Sequence, residues 1–208
     1  MTRILALAFA LFLALPAAAQ VGKSLGVVDA NTITEADLAK LPGMTPAIAT
    51  AVVAARPFDG IIAFNTFLLG QKLTQAQANE LYKHVFIHIN LNTATAAEIM
   101  LVPGAGKRMA HEFEEYRPWK SWPQFAKEIG KYVDAKEVAR LAQYAFIPIN
   151  INTATEADFM TIPGVGKRMA HEFDEYRPWK TPGQFEKEIG KYVDAKEVKR
   201  LWRYVVIQ

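Results

Sequence analysis

The amino-acid sequence predicts an all-α protein of three tandem units, each of about four short helices, after an N-terminal signal peptide. The first reason is an internal repeat: residues 150–208 repeat residues 90–149, and about two-thirds of the aligned positions are identical. The second reason is a set of helix-start signals that recurs in every unit. The third is that no alternating strand pattern appears beyond a few apolar residues at the joints between units.

Residues 1–19 are predicted to be a secretory signal peptide. Arg3 precedes an apolar run that is too short for a comfortable membrane span, and Ala17 to Ala19 provide an Ala-x-Ala cleavage site. The mature chain is therefore expected to be periplasmic or secreted by a Sec-type route, and not an integral membrane protein after cleavage. An uncleaved N-terminal anchor is the alternative. The sequence has no cysteine, which excludes disulfides, thiolate metal sites and a lipid-modified cysteine.

Three units follow the signal peptide. Residues 20–89 form a degenerate copy, whereas residues 90–149 and 150–208 are close copies of each other. The joints between the units are short and apolar, as in FIPININTAT, and contain no Gly/Ser-rich linker. The units are therefore expected to pack on one another.

Each unit carries N-terminal capping signals, in which Ser, Thr or Asp is followed three residues later by Glu, Asp or Gln. These pairs predict helix starts at Thr34/Asp37, Thr74/Gln77, Thr95/Glu98, Ser121/Gln124, Asp134/Glu137, Thr155/Asp158, Thr181/Gln184 and Asp194/Glu197. A further helix is predicted from about Lys167 to Tyr176, because Ala170, Phe173 and Tyr176 share a face. The following Arg-Pro pair ends that helix, since the residue before proline disfavours helical geometry.

Two segments have the form Pro-Gly-x-Gly-Lys-Arg: residues 103–108, here called the second tip, and residues 163–168, called the third tip. The first N–H groups of a helix have no internal partner, and glycines let a phosphate approach them closely. Cations at a helix start oppose the helix dipole by ~0.3–1 kcal/mol each. Their presence therefore favours an anion site over the alternative, a solvated Lys-Arg pair on an ordinary turn.

The residues predicted to bind phosphate are Gly104, Gly106, Lys107, Arg108, Gly164, Gly166, Lys167 and Arg168, with His111 and His171 as auxiliary contacts one turn further on. Helix, Pro-Gly-x-Gly and a cation-bearing helix form the helix-hairpin-helix pattern, and the third unit continues the fit with Ala170, Phe173 and Tyr176. The whole mature chain resembles tandem helix-hairpin-helix domains of the bacterial competence DNA receptor (ComEA-like) family. Each unit resembles the RuvA domain 2-like fold.

The resemblance implies binding to the sugar-phosphate backbone of double-stranded DNA without reading its sequence. It implies a role in the uptake of external DNA, with other envelope proteins as a second class of partner. The family often holds a monovalent cation at the hairpin tip, and no other cofactor or metal is expected.

The remaining tips are predicted to be structural. In the first unit Thr45 and Pro46 replace the second glycine and the lysine, so Thr45 is expected to cap its own helix. In the second hairpins Asp134 and Asp194 occupy the place of a phosphate and would repel one. This departs from the family pattern, in which two tips of one domain straddle a groove. The second and third tips acting together as linked weak sites are a substitute.

Catalysis finds no support in the sequence. HEFEE and HEFDE lack the second histidine of a zinc protease, and there is no Ser/His/Asp order, Walker loop or carboxylate pair. The non-enzymatic alternative is a protein–protein scaffold on the same fold, which the extrinsic subunit of photosystem II resembles. A net charge of only +3 and the acidic residues after the tips favour a scaffold, whereas the tips themselves argue against it. Arg108 and Glu112, like Arg168 and Glu172, have the spacing of an i,i+4 ion pair.

Two further groups of residues have alternative interpretations. Trp119 and Trp179 align with Phe58, which favours core packing over base stacking. Trp122 and Trp202 have no aromatic equivalents, so an exposed position is open to them. The last helix carries Lys196, Lys199, Arg200 and Arg203, either as auxiliary phosphate contacts or as a solvated face.

Overall fold

The structure, a computed structural model, describes residues 27–208, and the predicted signal peptide at residues 1–19 lies outside this range. Between residues 27 and 208 the chain forms twelve helices and six strands of two residues each. The protein is therefore mostly helical, which confirms the predicted class. Within the same range, none of the helices has the length and apolar character needed to cross a membrane.

The elements lie in three consecutive stretches of chain. The first stretch, residues 27–88, contains β1 (Val28–Asp29), α1 (Glu35–Leu38), α2 (Pro46–Ala55), α3 (Ile61–Gly70), α4 (Gln75–Leu81) and β2 (Val85–Phe86). The second stretch, residues 89–148, contains β3 (Ile89–Asn90), α5 (Ala96–Ile99), α6 (Lys107–Glu115), α7 (Trp122–Ile129), α8 (Ala135–Ala142) and β4 (Ala145–Phe146). The third stretch, residues 149–208, contains β5 (Ile149–Asn150), α9 (Glu156–Phe159), α10 (Lys167–Glu175), α11 (Pro182–Ile189), α12 (Ala195–Trp202) and β6 (Val205–Val206).

The short strands join the two ends of each stretch. β1 pairs with β2, β3 with β4 and β5 with β6, all in parallel, with Val28 opposite Val85, Ile89 opposite Ala145 and Ile149 opposite Val205. Strands β2 to β5 lie at the joints between the stretches, and the sequence did not predict the pairing of any of the six strands. Two residues are too few to show the alternation that marks a strand.

Nine of the twelve helices in residues 27–208 begin with a side-chain cap, and all nine caps lie at predicted positions. A complete capping box, in which side chain and backbone bind each other reciprocally, forms at Thr74, Thr95 and Thr155. Each such cap satisfies N–H groups that the helix itself cannot bind. The local signals therefore fix where these helices start.

The remaining predicted boxes are only half formed. Ser121 caps α7, but the Oε1 of Gln124 accepts a hydrogen bond from the N–H of Lys120 at 2.8 Å instead of from the cap residue. Gln184 behaves in the same way in α11. Asp134 caps α8, while the side chain of Glu137 binds Arg140 rather than the backbone. A long side chain has more than one partner in reach, which sequence spacing does not resolve.

The aromatic residues after the Arg-Pro pairs are buried, which confirms their predicted place in the core. Trp119 is held by Asn92, whose side-chain N–H donates to the Trp119 carbonyl at 2.9 Å and whose Oδ1 accepts from the Trp119 N–H at 2.6 Å. Asn31 holds Phe58, and Asn152 holds Trp179, in the same manner. The asparagine near the start of each stretch thereby fixes the loop after the second helix of that stretch.

Trp122 and Trp202 are half-buried rather than exposed. Their ring centroids lie 5.6 Å and 5.1 Å from those of Phe125 and Phe185. Edge-on and tilted aromatic contacts of this kind add to the stabilisation from burial alone.

The three stretches pack on one another through aromatic and polar contacts. The ring of Phe86 meets Tyr144 edge-on at 5.1 Å, which joins the first and second stretches. Phe146 lies 4.5 Å from Tyr204, which joins the second and third. A buried polar cluster joins the first and third, because Asp29 Oδ2 accepts a hydrogen bond from the Tyr204 hydroxyl at 3.1 Å.

The carboxylate of Asp29 also lies 3.1 Å from Nδ1 of His88, and both side chains are buried. Burial alone raises the pKa of Asp29, but the hydrogen bonds with His88 and with the N–H of Asn31 outweigh it and leave the pKa lowered. Burial raises the pKa of Tyr204. The cluster therefore keeps a charged carboxylate and a neutral phenol between two stretches of the chain.

Basic residues in and directly after α12 take part in the same contact. Lys199 Nζ pairs with Asp59 Oδ2 at 2.9 Å, and Arg203 Nη2 donates to the carbonyl of His88 at 3.2 Å. Arg200 is buried. The prediction of a solvated or phosphate-binding face is therefore wrong for Arg200, and it missed that Lys199 and Arg203 contact the first stretch.

Candidate functional site

The second and third tips are tight turns between two helices: the second joins α5 to α6, and the third joins α9 to α10. Gly104 and Gly164 each have a φ of 80°, in the left-handed region that favours glycine. One residue later the turn closes, with the N–H of Ala105 donating to the Val102 carbonyl at 2.9 Å. The second glycine of each tip then occupies the N-cap position of the following helix.

The first turns of α6 and α10 have no side-chain cap. Gly106 and Gly166 have no side chain to offer, and no other residue within 27–208 supplies a cap to either helix. A Cβ added at either glycine would meet nothing within 4 Å. An acceptor from outside the chain therefore has room to approach the first-turn N–H groups.

The other tips are closed by their own side chains, as predicted. Thr45 Oγ1 accepts from the backbone N–H three residues on at 3.2 Å, and Asp134 and Asp194 do the same at 2.8 Å and 2.9 Å. Helix α3 also starts without a side-chain cap, at Gly60, but its first turn carries isoleucines and no cation. Among the helices of residues 27–208, only α6 and α10 combine an uncapped start with Lys-Arg.

The cations of the two tips are exposed: Lys107, Arg108, Lys167 and Arg168. The expected ion pair between Arg108 and Glu112 does not form, because Glu112 is only 6% exposed and Arg108 instead lies over the ring of Tyr132 at 5.1 Å. The same holds in the third stretch, where Arg168 lies 5.7 Å from the Tyr192 ring. Stacking on an aromatic ring leaves the positive charge at the surface.

A pair of tyrosines lies beside each tip. The hydroxyls of Tyr116 and Tyr132 are 2.8 Å apart, and Lys131 Nζ lies 4.8 Å from the ring centroid of Tyr116. The hydrogen bond with Tyr116 and the nearby Glu112 raise the pKa of Tyr132. Tyr176, Tyr192 and Lys191 repeat the arrangement. Lys131 and Lys191 were not predicted to lie beside these tyrosines, and each also pairs with a carboxylate, of Glu128 and Glu188 respectively.

Arg140 of α8 lies beside the first glycine of the second tip. A Cβ added at Gly104 would lie 3.0 Å from Arg140 Nη2. Nε and Nη2 of Arg140 bind the carboxylate of Glu137 at 2.7 Å and 2.6 Å, so the guanidinium is held in this place. Arg200 has the same position beside Gly164. Arg140 was not predicted to lie here, and Arg200 was predicted only as an auxiliary phosphate contact or part of a solvated face; the recurring Glu-Val-x-Arg after an Asp cap was the available signal.

His111 and His171 are exposed on the turn after the cations and lie near carboxylates. His111 Nε2 is 3.2 Å from Glu115 Oε2, and His171 Nε2 is 3.5 Å from Glu175 Oε2. These carboxylates would compete with a phosphate for the imidazoles, which weakens the case for the auxiliary contacts. Within residues 27–208, no three or more His, Asp or Glu side chains gather into a group able to hold a metal ion.

Comparison with known proteins identifies no relative of this chain. No protein-family model matches the chain, and neither a curated protein nor a solved structure matches it. The site is accordingly defined by the chain's own residues.

Proposed function

We propose that the three stretches are helix-hairpin-helix units and that the protein is a non-catalytic DNA-binding protein of the ComEA-like kind. The second and third tips hold phosphates of double-stranded DNA without reading its sequence, and the first unit is structural. With the predicted signal peptide at residues 1–19, the protein acts in the periplasm or outside the cell. Uptake of external DNA is the process that the resemblance suggests.

The observation that carries this proposal is the uncapped, cation-bearing start of α6 and α10. Nine other helices of residues 27–208 satisfy their first turn with a side chain, at positions that local sequence determines. Lys107 and Arg108, and their equivalents, oppose the helix dipole by ~0.3–1 kcal/mol each. A bound phosphate reverses that penalty, because it accepts from the N–H groups and pairs with both cations.

Contacts of this kind give sequence-independent binding. Backbone N–H groups, lysines and arginines reach phosphate oxygens, which are the same in every duplex. Such binding releases counterions, so the affinity falls steeply as salt rises. Two tips in one chain add their contributions if both reach the same duplex.

A protein–protein scaffold is the second candidate, and one surface favours it. Ile62 and Leu69 of α3 and Met100 after α5 are large apolar side chains that remain exposed. Ile62 and Leu69 lie seven residues apart and therefore share one face of α3, and an exposed apolar face of this kind favours a protein contact. Another envelope protein bound there would leave the two tips free, so both functions are compatible on one chain.

The test is binding of the chain from residue 20 onward to random-sequence duplex DNA over a salt series. Replacing Lys107, Arg108, Lys167 and Arg168 by Ala should reduce the log–log salt slope by at most about 3.6, the value for four full contacts at about 0.9 each. The matched control replaces four exposed lysines outside the tips, Lys40, Lys83, Lys127 and Lys187, and changes the net charge equally.

The control should keep most of the slope and affinity, because its lysines contact no phosphate. Two duplexes of unrelated sequence should bind equally. Absent binding by the unaltered chain, or equal losses in the tip variant and the control, would refute the proposal and favour the scaffold.

A further inference from the structure

The second and third tips have nearly the same sequence but different neighbours. Around Gly104, the side chains nearest to an added Cβ are Arg140 and Glu137 of the same stretch. Around Gly164, a residue of the first stretch is also close, because Thr32 Cγ2 would lie 3.2 Å from an added Cβ. Pro163 is buried, whereas Pro103 is only half-buried. The first stretch therefore reaches the added Cβ at the third tip, whereas at the second tip the nearest side chains belong to the same stretch.

A cavity of about 140 Å³ lies where the first stretch meets the third tip. Its walls include Asp29, Thr32 and His88 on one side, and Pro163 and Gly164 on the other. The buried hydrogen bond from the Tyr204 hydroxyl to Asp29 belongs to the same contact between the first and third stretches. This flank of the third tip thus faces a partly open pocket that has the Asp29 carboxylate on its wall.

The arginines beside the two tips also differ, in how far their side chains are exposed. The side chain of Arg140 is 32% exposed, and that of Arg200 is 3% exposed. Each uses two guanidinium N–H groups on a glutamate, which leaves three of the five N–H donors for another acceptor. For Arg140 these donors are within reach of a ligand. For Arg200, Nη1 is buried without a hydrogen-bond partner among the described residues.

We infer that Arg140 is a third phosphate-binding cation of the second tip, and that the second tip is the principal DNA contact of the protein. The inference rests on the proposed function. Gly104 has no side chain to separate Arg140 from a phosphate held at the start of α6, and a guanidinium binds phosphate oxygens in fork geometry. At the third tip the first stretch encloses the equivalent arginine, so that tip makes the weaker contact.

Two double variants compare the tips directly: Lys107→Ala with Arg108→Ala, and Lys167→Ala with Arg168→Ala. They remove the same residues from equivalent positions, so each controls for the other. The second-tip variant should reduce the log–log salt slope by about 1.8, which is two contacts at about 0.9 each. The third-tip variant should lose less than half as much. Equal losses, or a larger loss at the third tip, would overturn the inference.

Single variants test Arg140 itself. Arg140→Gln should reduce the salt slope by about 0.9, whereas Glu137→Gln should strengthen binding, because it removes the carboxylate that competes with phosphate. Glu197→Gln, the matched change at the third tip, should leave the affinity unaltered. Thermal unfolding of each variant ensures that only folded protein is compared.

A purely structural role for Arg140 predicts a different pattern, in which Arg140→Gln and Glu137→Gln both lower the melting temperature and neither alters DNA affinity. That pattern would refute the inference about Arg140. DNA binding by the unaltered chain would still support the proposed function. If the wild-type chain bound no DNA, the proposed function would fail, and this inference would fail with it.

Discussion

Replacing Tyr204 by Phe tests the buried contact between the first and third stretches. The Tyr204 hydroxyl donates to Asp29 Oδ2 at 3.1 Å, and both side chains are buried. Phenylalanine keeps the ring against Phe146, at 4.5 Å between centroids, and removes only the donor. Loss of a hydrogen bond to a buried charged acceptor costs about 1.5–3 kcal/mol. For a chain of this size the melting temperature should then fall by about 3–12 °C.

Tyr144→Phe is the matched control. Tyr144 is also buried and occupies the same place in the second stretch, but its hydroxyl lies near the partly exposed Arg140 rather than a buried carboxylate. We expect its loss to cost less than about 1 kcal/mol. Urea denaturation of both variants at pH 7, followed by circular dichroism, gives the two free energies of unfolding. If both variants lose the same free energy of unfolding, or if Tyr204→Phe loses none, the Asp29 carboxylate does not depend on the hydrogen bond from Tyr204.

Three further changes test the tip turn, the core clamp and the buried carboxylate. Gly104→Ala places a Cβ on a residue at a φ of 80° and against Arg140, so it should destabilise the protein by about 1–2 kcal/mol. Gly183→Ala, within α11, should instead stabilise it by up to about 1 kcal/mol. Shifts of the urea midpoint in the same direction for both variants would contradict this. Asn92→Ala removes both hydrogen bonds to the Trp119 backbone and should cost about 1–3 kcal/mol, with a change in the near-ultraviolet spectrum that an unmoved indole would not give. Because the pKa of Asp29 is lowered from 3.8 in the folded protein, its contribution is present above that pH and is lost as the pH falls through the folded value. In Asp29→Asn the free energy of unfolding should therefore fall less steeply below about pH 4 than in the unaltered protein. The same pH dependence in both proteins would contradict this contribution of Asp29.

Features set by neighbouring residues in the sequence were predictable. Thr95 and Glu98 are three residues apart, so their capping box follows from helix geometry alone. The same reasoning found the open starts of α6 and α10, since a glycine at the N-cap has no side chain to contribute. It failed for Gln124, whose amide reaches the N–H of Lys120 as easily as that of the cap.

Features set by distant residues were not predictable. The capping signals do not separate Arg140 from Arg200, because both follow an Asp cap and a glutamate three residues earlier. One remains accessible and the other is enclosed, since only the third stretch meets Thr32. The paired joint strands were missed for a similar reason: their partners lie at the far end of the same stretch.

The differences between α8 and α12 explain why the two tips diverge. In and just after α8 stand Ala139 and Gln143, where α12 and the residue after it have Lys199 and Arg203, which bind Asp59 and the carbonyl of His88. Both contacts draw the first stretch onto the third, and the same approach brings Thr32 against Gly164. The first stretch, whose own tip is closed by a threonine, thus contributes by docking rather than by holding an anion. Its docking brings Thr32 against Gly164, whereas the side chains closest to an added Cβ at Gly104 are Arg140 and Glu137 of the second stretch itself.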